Sequence, residues 1–391
     1  CIPQVKFQDL ETLDAETDDE EAAKWKDDLK QFAKDNPRST STFSTRFPGF
    51  PAHDKQFFEL YWTKPQVKAR SHPNLIAASK FLNQLYHLKS GSSSSQLEGV
   101  DLSVPLTYAD RFRIRKPGQA GASIPHTSML ECGVGGTIER WEEPEFRKCF
   151  EDILEGKWKE HDPYDLAGRF GARTSLYGRP SQSTVFRTFQ GWLAMSETAP
   201  GEDPSSVPDT AASSSDALND PKNWEFGTQI IWTIDVTDPL FHGIRPRDGG
   251  YQGPMPTPEL HPHLQLEKTM ISIPKVYPGD AVFWHCDVVH AVEHDHNGTG
   301  DSAVMYIPAV PKTPMNLAYV ARQKECFLQG ERPPDFPKGK GEKGWVGCTS
   351  EEDIFPPLEE LRSVSLEVVL VLWTVVGAYR IPSFRDARQC T

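Results

Sequence analysis

Residues 278–292 read Pro-Gly-Asp-Ala-Val-Phe-Trp-His-Cys-Asp-Val-Val-His-Ala-Val, and this stretch decides the fold. A Pro-Gly-Asp turn precedes an aromatic and β-branched run, which predicts a tight turn followed by a buried strand. The run ends in a cluster of His285, Asp287 and His290. Two imidazoles and a carboxylate suit non-haem iron, because such a face leaves coordination positions open for oxygen and a co-substrate. Hydrogen-bonded, half-exposed side chains at a strand end are the alternative interpretation.

The spacing of these residues separates His290 from the other two. In an extended strand His285 and Asp287 share one face, and His290 lies beyond it. The histidines that follow, His294 and His296, are too close in sequence to complete a site with His285 and Asp287. The pattern therefore favours His290 as a late metal ligand with partners far upstream. His285 and Asp287 remain secondary candidates, including for a metal-dependent hydrolase site with His290.

Composition limits the class of partner. The chain has 391 residues, 25% of them charged and 37% hydrophobic, and its net charge is −13. This acidic balance argues against nucleic acid or an anionic membrane as the partner, since both require a basic face. Seven scattered cysteines without a CxxC pair predict a reduced, cytoplasmic protein. The apolar run at 368–379 is shorter than the roughly 20 residues of a membrane span.

The order of patterns along the chain predicts its organisation. Residues 1–53 form an acidic, loop-rich N-terminal segment, and 54–350 form one domain. Within that domain a polar, serine-rich stretch at 199–222 is expected to be disordered, and 351–391 is a tail of uncertain structure. Helical patterns come first, and short strands follow with a helical insert between them. The fold class expected is β-rich α+β, with a jelly-roll or cupin-like core.

One early strand has an unusual alternation. Residues 111–115 read Arg-Phe-Arg-Ile-Arg, which predicts one charged face and one buried face. Arg111, Arg113 and Arg115 could anchor an acidic substrate together, or they could pair with nearby carboxylates.

Several stretches carry a resemblance to a known family. They are 61–67 (Tyr-Trp-Thr-Lys-Pro-Gln-Val), 108–115 (Tyr-Ala-Asp-Arg-Phe-Arg-Ile-Arg), 189–196 (Phe-Gln-Gly-Trp-Leu-Ala-Met-Ser), 261–264 (His-Pro-His-Leu) and 333–337 (Pro-Pro-Asp-Phe-Pro). With 278–292 they resemble the YbiU-like family called domain of unknown function 1479, over roughly residues 20–350. This family is similar to the iron(II)/2-oxoglutarate-dependent, clavaminate synthase-like oxygenases. The resemblance implies a double-stranded β-helix, with iron(II) as cofactor and 2-oxoglutarate as co-substrate.

The resemblance also implies ligands, and here the chain departs from the pattern. In the family a Pro-His-x-Asp motif runs almost directly into Gly-Gly and Glu-Arg-Trp. This chain has His126 and the later Gly-Gly, but residues 127–134 separate them and Ser128 stands where the aspartate is expected. His126 and His290 are therefore the expected histidine ligands.

Three explanations of the missing aspartate stay open. Glu131 supplies the carboxylate, or the site uses two histidines and a halide, as in related oxygenases that lost the carboxylate. Otherwise the metal site is damaged, or the sequence carries a gene-model error at an exon boundary.

The resemblance further implies an anchor for the far carboxylate of 2-oxoglutarate. Related enzymes use an arginine shortly after the late histidine, because guanidinium pairs with carboxylate through two hydrogen bonds. This chain offers Ser302 and Tyr306 there, so Arg187 is the substitute candidate, with Gln190 beside it. A structural ion pair is the alternative role for Arg187. The expected function is oxidation of a small molecule. The alternative is a catalytically inactive cupin-like binding protein that has lost the metal-binding carboxylate.

Overall fold

The computed structural model of this chain describes residues 4–5, 15–36, 56–89, 97–119, 143–172, 183–200, 205–208, 270–287, 291–292, 296–336 and 341–354. The α-helices within these ranges are α1 (Ala15–Asp35), α2 (Lys64–Arg70), α3 (Pro73–Asn83), α4 (Pro144–Lys148), α5 (Glu151–Leu154), α6 (Pro314–Gln329) and α7 (Glu351–Ile354). None of the helices in the described part of the chain has the length and apolar character needed to cross a membrane.

Local sequence explains where two of the helices begin. Thr63 and Thr313 are the N-caps of α2 and α6, and each hydroxyl accepts a hydrogen bond from the backbone N–H three residues later. A proline follows in the first turn of each helix, where its missing N–H is not needed. Helix α6 ends at Gly330, whose φ of 66° is the left-handed conformation that favours glycine.

The strands of the described ranges form three antiparallel sheets. They are β1 (Gln4–Val5), β2 (Phe57–Phe58), β3 (Asp101–Leu106), β4 (Phe112–Arg115), β5 (Phe189–Ala194), β6 (Ser205–Pro208), β7 (Met270–Ile271), β8 (Ala281–His285), β9 (Ala291–Val292), β10 (Ser302–Tyr306) and β11 (Val310–Lys312). The large sheet has the order β1-β8-β5-β10-β4-β2, and the smaller sheets have the orders β7-β6-β9 and β11-β3. From β5 to β10 the chain passes repeatedly between the large sheet and the β7-β6-β9 sheet.

The turn predicted before β8 is confirmed. The backbone N–H of Asp280 donates to the Tyr277 carbonyl at 3.0 Å, and Gly279 has a φ of 90°. Proline at the second position and glycine at the third are what a type II turn requires. The Asp280 carboxylate accepts a hydrogen bond from the Tyr277 N–H at 2.9 Å and closes the turn.

The two faces of the large sheet pack against different parts of the molecule. One face contributes to the main core together with α1 and α3, through residues that include Leu29, Leu82, Phe112, Phe189, Leu193, Phe283 and Met305. The opposite face forms a second cluster of Trp192, Ala194, Ile273, Val276, Val282, Trp284 and Val304. Because side chains alternate along a strand, neighbouring residues of β5 and β8 belong to different clusters. Both faces of the sheet are therefore covered.

Because both faces of the large sheet are covered, the face of β4 that was expected to be charged is buried too. Phe112 and Ile114 face the main core as predicted. Arg113 and Arg115, which the alternation placed on a charged face, are 2% and 0% exposed. The alternation was right, but the charged face is buried as well, because the second face of the sheet is covered by the Trp192 cluster.

Two other segments differ from the sequence expectations. Strand β6 lies within 199–222, which we expected to be disordered, and it pairs with both β7 and β9. The helical insert expected between the strands is divided into α4, α5 and a 3₁₀ turn at Trp158–Glu160. Glycine at position 156, with a φ of 78°, separates the last two of these pieces.

Candidate functional site

The end of β8 places His285 in a buried polar environment. Its Nε2 lies 2.6 Å from the Tyr86 hydroxyl and 3.1 Å from the Pro163 carbonyl. Since the Tyr86 hydroxyl donates to the Thr188 carbonyl at 2.9 Å, it accepts from His285. The His285 Nδ1 accepts the backbone N–H of Asp287 at 3.2 Å. These contacts assign a neutral imidazole with its proton on Nε2, and burial lowers the pKa of His285 to about 4.

Asp287 is held by an arginine from a distant part of the chain. The Arg169 Nη1 and Nη2 atoms donate to Asp287 Oδ1 and Oδ2 at 3.2 and 2.7 Å, which is the two-bond geometry of guanidinium and carboxylate. The side chains are 1% and 15% exposed. Burial lowers the pKa of Arg169, but the surrounding groups, with Asp287 first among them, together raise it above its usual value. Arg169 also lies over the Phe150 ring at 5.7 Å.

We call Tyr86, Arg169, His285 and Asp287 the β8 latch, because together they hold the end of β8. Within the described ranges, His285, Cys286 and Asp287 are the group whose potential metal-binding atoms lie within 4.8 Å of one another. A cation there would have to displace the Asp287 N–H from Nδ1 and would compete with the Arg169 guanidinium for the Asp287 carboxylate. Adjacent Arg169 would also repel it. The arrangement therefore fits a structural role for His285 and Asp287 better than metal binding.

Three other predicted residues lie on or beside the large sheet, on the face of the Trp192 cluster. Strand register places Tyr306 opposite Trp192, and Gln190 opposite Trp284. Ser302 is opposite Arg115. Gln190 and Ser302 are 6% and 1% exposed, and Tyr306 packs against the cluster. This face thus combines aromatic rings with amide and hydroxyl groups.

The arginines of β4 supply the positive charge of the same face. Arg113 is opposite Val304, in line with the polar residues of β10. The Nε and Nη2 atoms of Arg115 donate to the Gln119 carbonyl at 3.0 and 2.7 Å, which directs this guanidinium toward the end of β4. Arg111 is directed elsewhere: its Nε lies 3.2 Å from Asp110, and its guanidinium lies over the Phe336 ring. Arg111 thus pairs with a nearby carboxylate, which was the alternative role, and Arg113 and Arg115 stay candidates for a substrate anchor.

Arg187 is buried two residues before β5 and is 8% exposed. It lies near Tyr108. Burial raises the pKa of the Tyr108 hydroxyl well above its usual value, and the charge of Arg187 offsets part of that rise. Tyr108 belongs to a different cluster from Trp192, together with Tyr319 and Phe336. Strand register places Arg113 on the same sheet face as Ser302 and Tyr306, whereas Arg187 lies outside the strands.

The three predicted iron ligands, His126, Glu131 and His290, lie outside the described residues. His290 immediately precedes β9, and Asp287 is three residues before it. Sequence reasoning missed Arg169 and Tyr86. Nothing local to Tyr86 indicates a partner 199 residues away, and nothing local to Arg169 indicates that its partner lies 118 residues away.

Comparisons with known proteins identify the family. The model of the Gig2-like family matches residues 12–363. The uncharacterised protein YbiU of Escherichia coli (strain K12) is 31% identical over 309 residues, which are 79% of this chain and 67% of YbiU. The crystal structure of a hypothetical Escherichia coli protein superposes with a TM-score of 0.66 at 28% identity, over 90% of this chain and 75% of that one.

Two further solved structures are similar. GlcNAc Inducible Gene 2 from Candida albicans, a domain of unknown function 1479 protein, is 27% identical with a TM-score of 0.66, over 94% of this chain and 74% of that one. A Salmonella typhimurium LT2 protein, provisionally described as an oxidoreductase, is 25% identical with a TM-score of 0.66, over 90% and 77%. The family predicted from the sequence is thereby confirmed, and the oxygenase superfamily stays a prediction. The chain belongs to the Gig2-like family.

Proposed function

We propose that this protein is an iron(II)- and 2-oxoglutarate-dependent oxygenase that oxidises a small organic molecule. The observation that carries the proposal is the order of the strands. Strands β4, β10, β5 and β8 are neighbours in one antiparallel sheet, and β7, β6 and β9 form another. A chain that alternates between two such sheets is the arrangement expected of a double-stranded β-helix, one of the closed all-β architectures.

Iron would be held by His126 and His290, with Glu131 as the third ligand. Two imidazoles and a carboxylate are a donor set that fits iron(II) and leaves open positions. When bound, the iron with 2-oxoglutarate supplies the activation of oxygen that the side chains of a protein do not provide themselves. The Salmonella relative's provisional description as an oxidoreductase agrees with this class of reaction.

The described residues fit the co-substrate by their chemistry. The face of Trp192 offers hydroxyl and amide donors at Ser302, Tyr306 and Gln190, and a buried cation at Arg113. Arg187 remains a second candidate for the cation. A buried guanidinium binds a carboxylate strongly because little water competes for either group. The Trp192 and Trp284 rings would exclude water from that part of the site.

Binding of iron and co-substrate tests this function directly. The protein is titrated anaerobically with iron(II) and 2-oxoglutarate, and the weak visible charge-transfer band of the chelate is followed. We expect a band in the wild type, its loss in His126→Ala and His290→Ala, and a weaker band in Glu131→Ala. Thermal unfolding of each variant controls for folding.

A second candidate function follows from Ser128, which stands where the family has an aspartate. A barrel whose metal site is lost together with that carboxylate would bind a small molecule without oxidising it. In that case the wild type gives no band and retains no iron. The same titration therefore separates the two functions.

The cation for 2-oxoglutarate can be assigned by a pair of variants. Arg113→Lys and Arg187→Lys both keep the charge and lose the two-bond geometry. We expect Arg113→Lys to weaken 2-oxoglutarate binding roughly tenfold, in line with the loss of one charge-assisted hydrogen bond of about 1.5 kcal/mol, and Arg187→Lys to change it less. The opposite order would assign the co-substrate to Arg187.

A further inference from the structure

The hydrogen bonds of His285 fix which nitrogen of its ring carries the proton. Nε2 donates toward the Tyr86 hydroxyl and the Pro163 carbonyl, at 2.6 and 3.1 Å. Nδ1 accepts the Asp287 N–H at 3.2 Å. A second proton, on Nδ1, would point at the hydrogen of that N–H, and two donors cannot form a hydrogen bond with each other. The turn after β8 in this form therefore requires a neutral His285.

Aromatic rings enclose the imidazole and keep water from it. The Tyr86 ring stacks on it, with centroids 5.6 Å apart and planes 5° apart, and the rings of Tyr164 and Phe189 meet it edge-on at 5.3 and 5.7 Å. The side chain of His285 is 11% exposed. Burial raises the pKa of the Tyr86 and Tyr164 hydroxyls, so neither supplies a negative charge to an imidazolium.

Charged groups face His285 from two segments of the chain. Asp287 follows β8, beside the Cys286 thiol, and Arg169 and His161 belong to the segment after α5. Burial lowers the pKa of His285 most. The Asp287 carboxylate and the Pro163 carbonyl raise this pKa, Arg169 and His161 lower it further, and the result is about 4.

A second partner for a protonated ring lies within reach. Asp287 Oδ2 is 3.8 Å from His285 Nδ1, and it accepts a hydrogen bond from Arg169 Nη2 at 2.7 Å. A proton on Nδ1 would thus cost the turn one hydrogen bond and would draw the ring toward a carboxylate that the guanidinium already holds. A buried ion pair is stable only while its own hydrogen bonds stay in place, so competition for Asp287 weakens it.

We propose that the β8 latch is an acid-sensitive device, in which His285 takes a proton from solvent on Nδ1, releases the Asp287 N–H and competes with Arg169 for the Asp287 carboxylate. The end of β8 then opens locally. This inference is independent of the proposed function, because it uses no residue to which we assign iron or 2-oxoglutarate.

The direction of the pH effect follows from the lowered pKa. The closed latch binds the proton less tightly than an open latch, in which the pKa of His285 returns to its usual 6.5. The latch is therefore fully stable above about pH 6.5 and loses stability as the pH falls toward about 4. Over that range the equilibrium between closed and open forms should shift toward the open form roughly a hundredfold.

Hydrogen–deuterium exchange of the full chain between about pH 7 and about pH 4 tests the device, after correction for the intrinsic pH dependence of exchange. The amide of Asp287 is the direct reporter, because its acceptor is the atom that is protonated. We expect its protection to fall roughly a hundredfold in the wild type. The amides of β10, in the same sheet, should change much less. An equal loss in every part of the chain would mean global acid unfolding, and an unchanged Asp287 amide would mean a latch that does not respond; either would overturn the proposal.

The variant His285→Gln keeps a side-chain N–H but does not titrate in this range. Its peptides covering 281–287 should show no local loss of protection between the two pH values. The matched control is His87→Gln: His87 is half-exposed and lies 2.7 Å from Asp162, a contact that raises its pKa, so its pH effect has the opposite sign. His87→Gln should keep the local loss seen in the wild type. A local loss that persists in His285→Gln would assign the proton to another group and overturn the proposal.

Nitrogen-15 NMR of histidine-labelled wild type needs no variant. Among the 12 histidines of the chain, one ring should keep the neutral form with its proton on Nε2 until the pH approaches about 4. The loss of that form should coincide with the loss of protection at Asp287. If all 12 rings titrate near their usual pKa, the latch carries no acid response.

Discussion

Glu342 is a buried carboxylate that accepts hydrogen bonds from backbone N–H groups. Its ionisation makes the stability of the fold depend on pH. Its Oε1 accepts the Tyr61 N–H at 2.5 Å, and its Oε2 accepts the Trp62 N–H at 3.1 Å. It is 1% exposed. Burial raises the pKa of Glu342 to about 7, although these hydrogen bonds and the charge of Arg70 lower it.

The raised pKa predicts the pH dependence of a Glu342→Gln variant. The folded state holds the proton more tightly than the unfolded chain, so ionisation destabilises the fold as pH rises from about 4.5 to about 7. Glutamine resembles the protonated acid. We therefore expect Glu342→Gln to match the wild type near pH 5 and to be more stable near pH 8, by up to about 3 kcal/mol.

Urea unfolding at the two pH values measures this difference. The exposed Glu351→Gln is the matched control, and it should leave the difference between the two pH values as in the wild type. A Glu342→Gln variant that is equally destabilised at both pH values would mean that Glu342 is charged throughout and is needed as an anion by Tyr61, Trp62 and Arg70.

At the scale of elements, the pairing of β5 with β8 depends on a close approach at Gly191. Gly191 is opposite Phe283, and a Cβ atom there would lie 2.4 Å from Phe283 Cδ1 and 2.8 Å from the Val282 carbonyl oxygen. Any larger residue would push the two strands apart. Gly191 lies between Gln190 and Trp192, so its loss would also disturb the face proposed to bind the co-substrate.

We expect Gly191→Ala to lower the free energy of unfolding by about 1–3 kcal/mol, the usual range for overpacking a core. Thermal unfolding measures the change. Gly171→Ala is the control, because nothing lies within 4 Å of a Cβ atom at that position. Adding Phe283→Leu to Gly191→Ala should restore part of the loss. Equal stability of Gly191→Ala and Gly171→Ala would show that the β5–β8 pairing can relax.

Elements were predictable from the sequence where local chemistry determines them. The turn before β8, strand β8 itself and the alternation of β4 all follow from residues adjacent in the chain. Strand β6 was missed because Ser205–Pro208 has no apolar alternation, and its pairing with β7 and β9 is long-range. The β8 latch was missed for the same reason, since Tyr86 and His285 are 199 residues apart. The iron ligands His126, Glu131 and His290 stay predictions.

At the scale of the whole molecule, the N-terminal helix shares the core of the β-sheets. Trp25, Leu29 and Phe32 of α1 belong to the same cluster as Phe189 and Phe283. The residue after α1 also contacts a segment far along the chain: Asn36 Nδ2 donates to the Val346 carbonyl, and the Val346 N–H donates to Asn36 Oδ1, both at 2.9 Å. Residues 15–36 therefore pack as part of the domain expected at 54–350.

This shared core predicts that a change in α1 destabilises the whole domain. Leu29 is fully buried, and Leu29→Ala should lower the free energy of unfolding by about 2–5 kcal/mol through lost burial and the cavity it leaves. Leu328→Ala is the matched control, because Leu328 of α6 is 41% exposed. Unfolding followed by tryptophan fluorescence and by circular dichroism should shift together, as a single transition. If α1 formed a separate unit, Leu29→Ala would melt the helix alone and leave the transition of the sheets where the wild type has it.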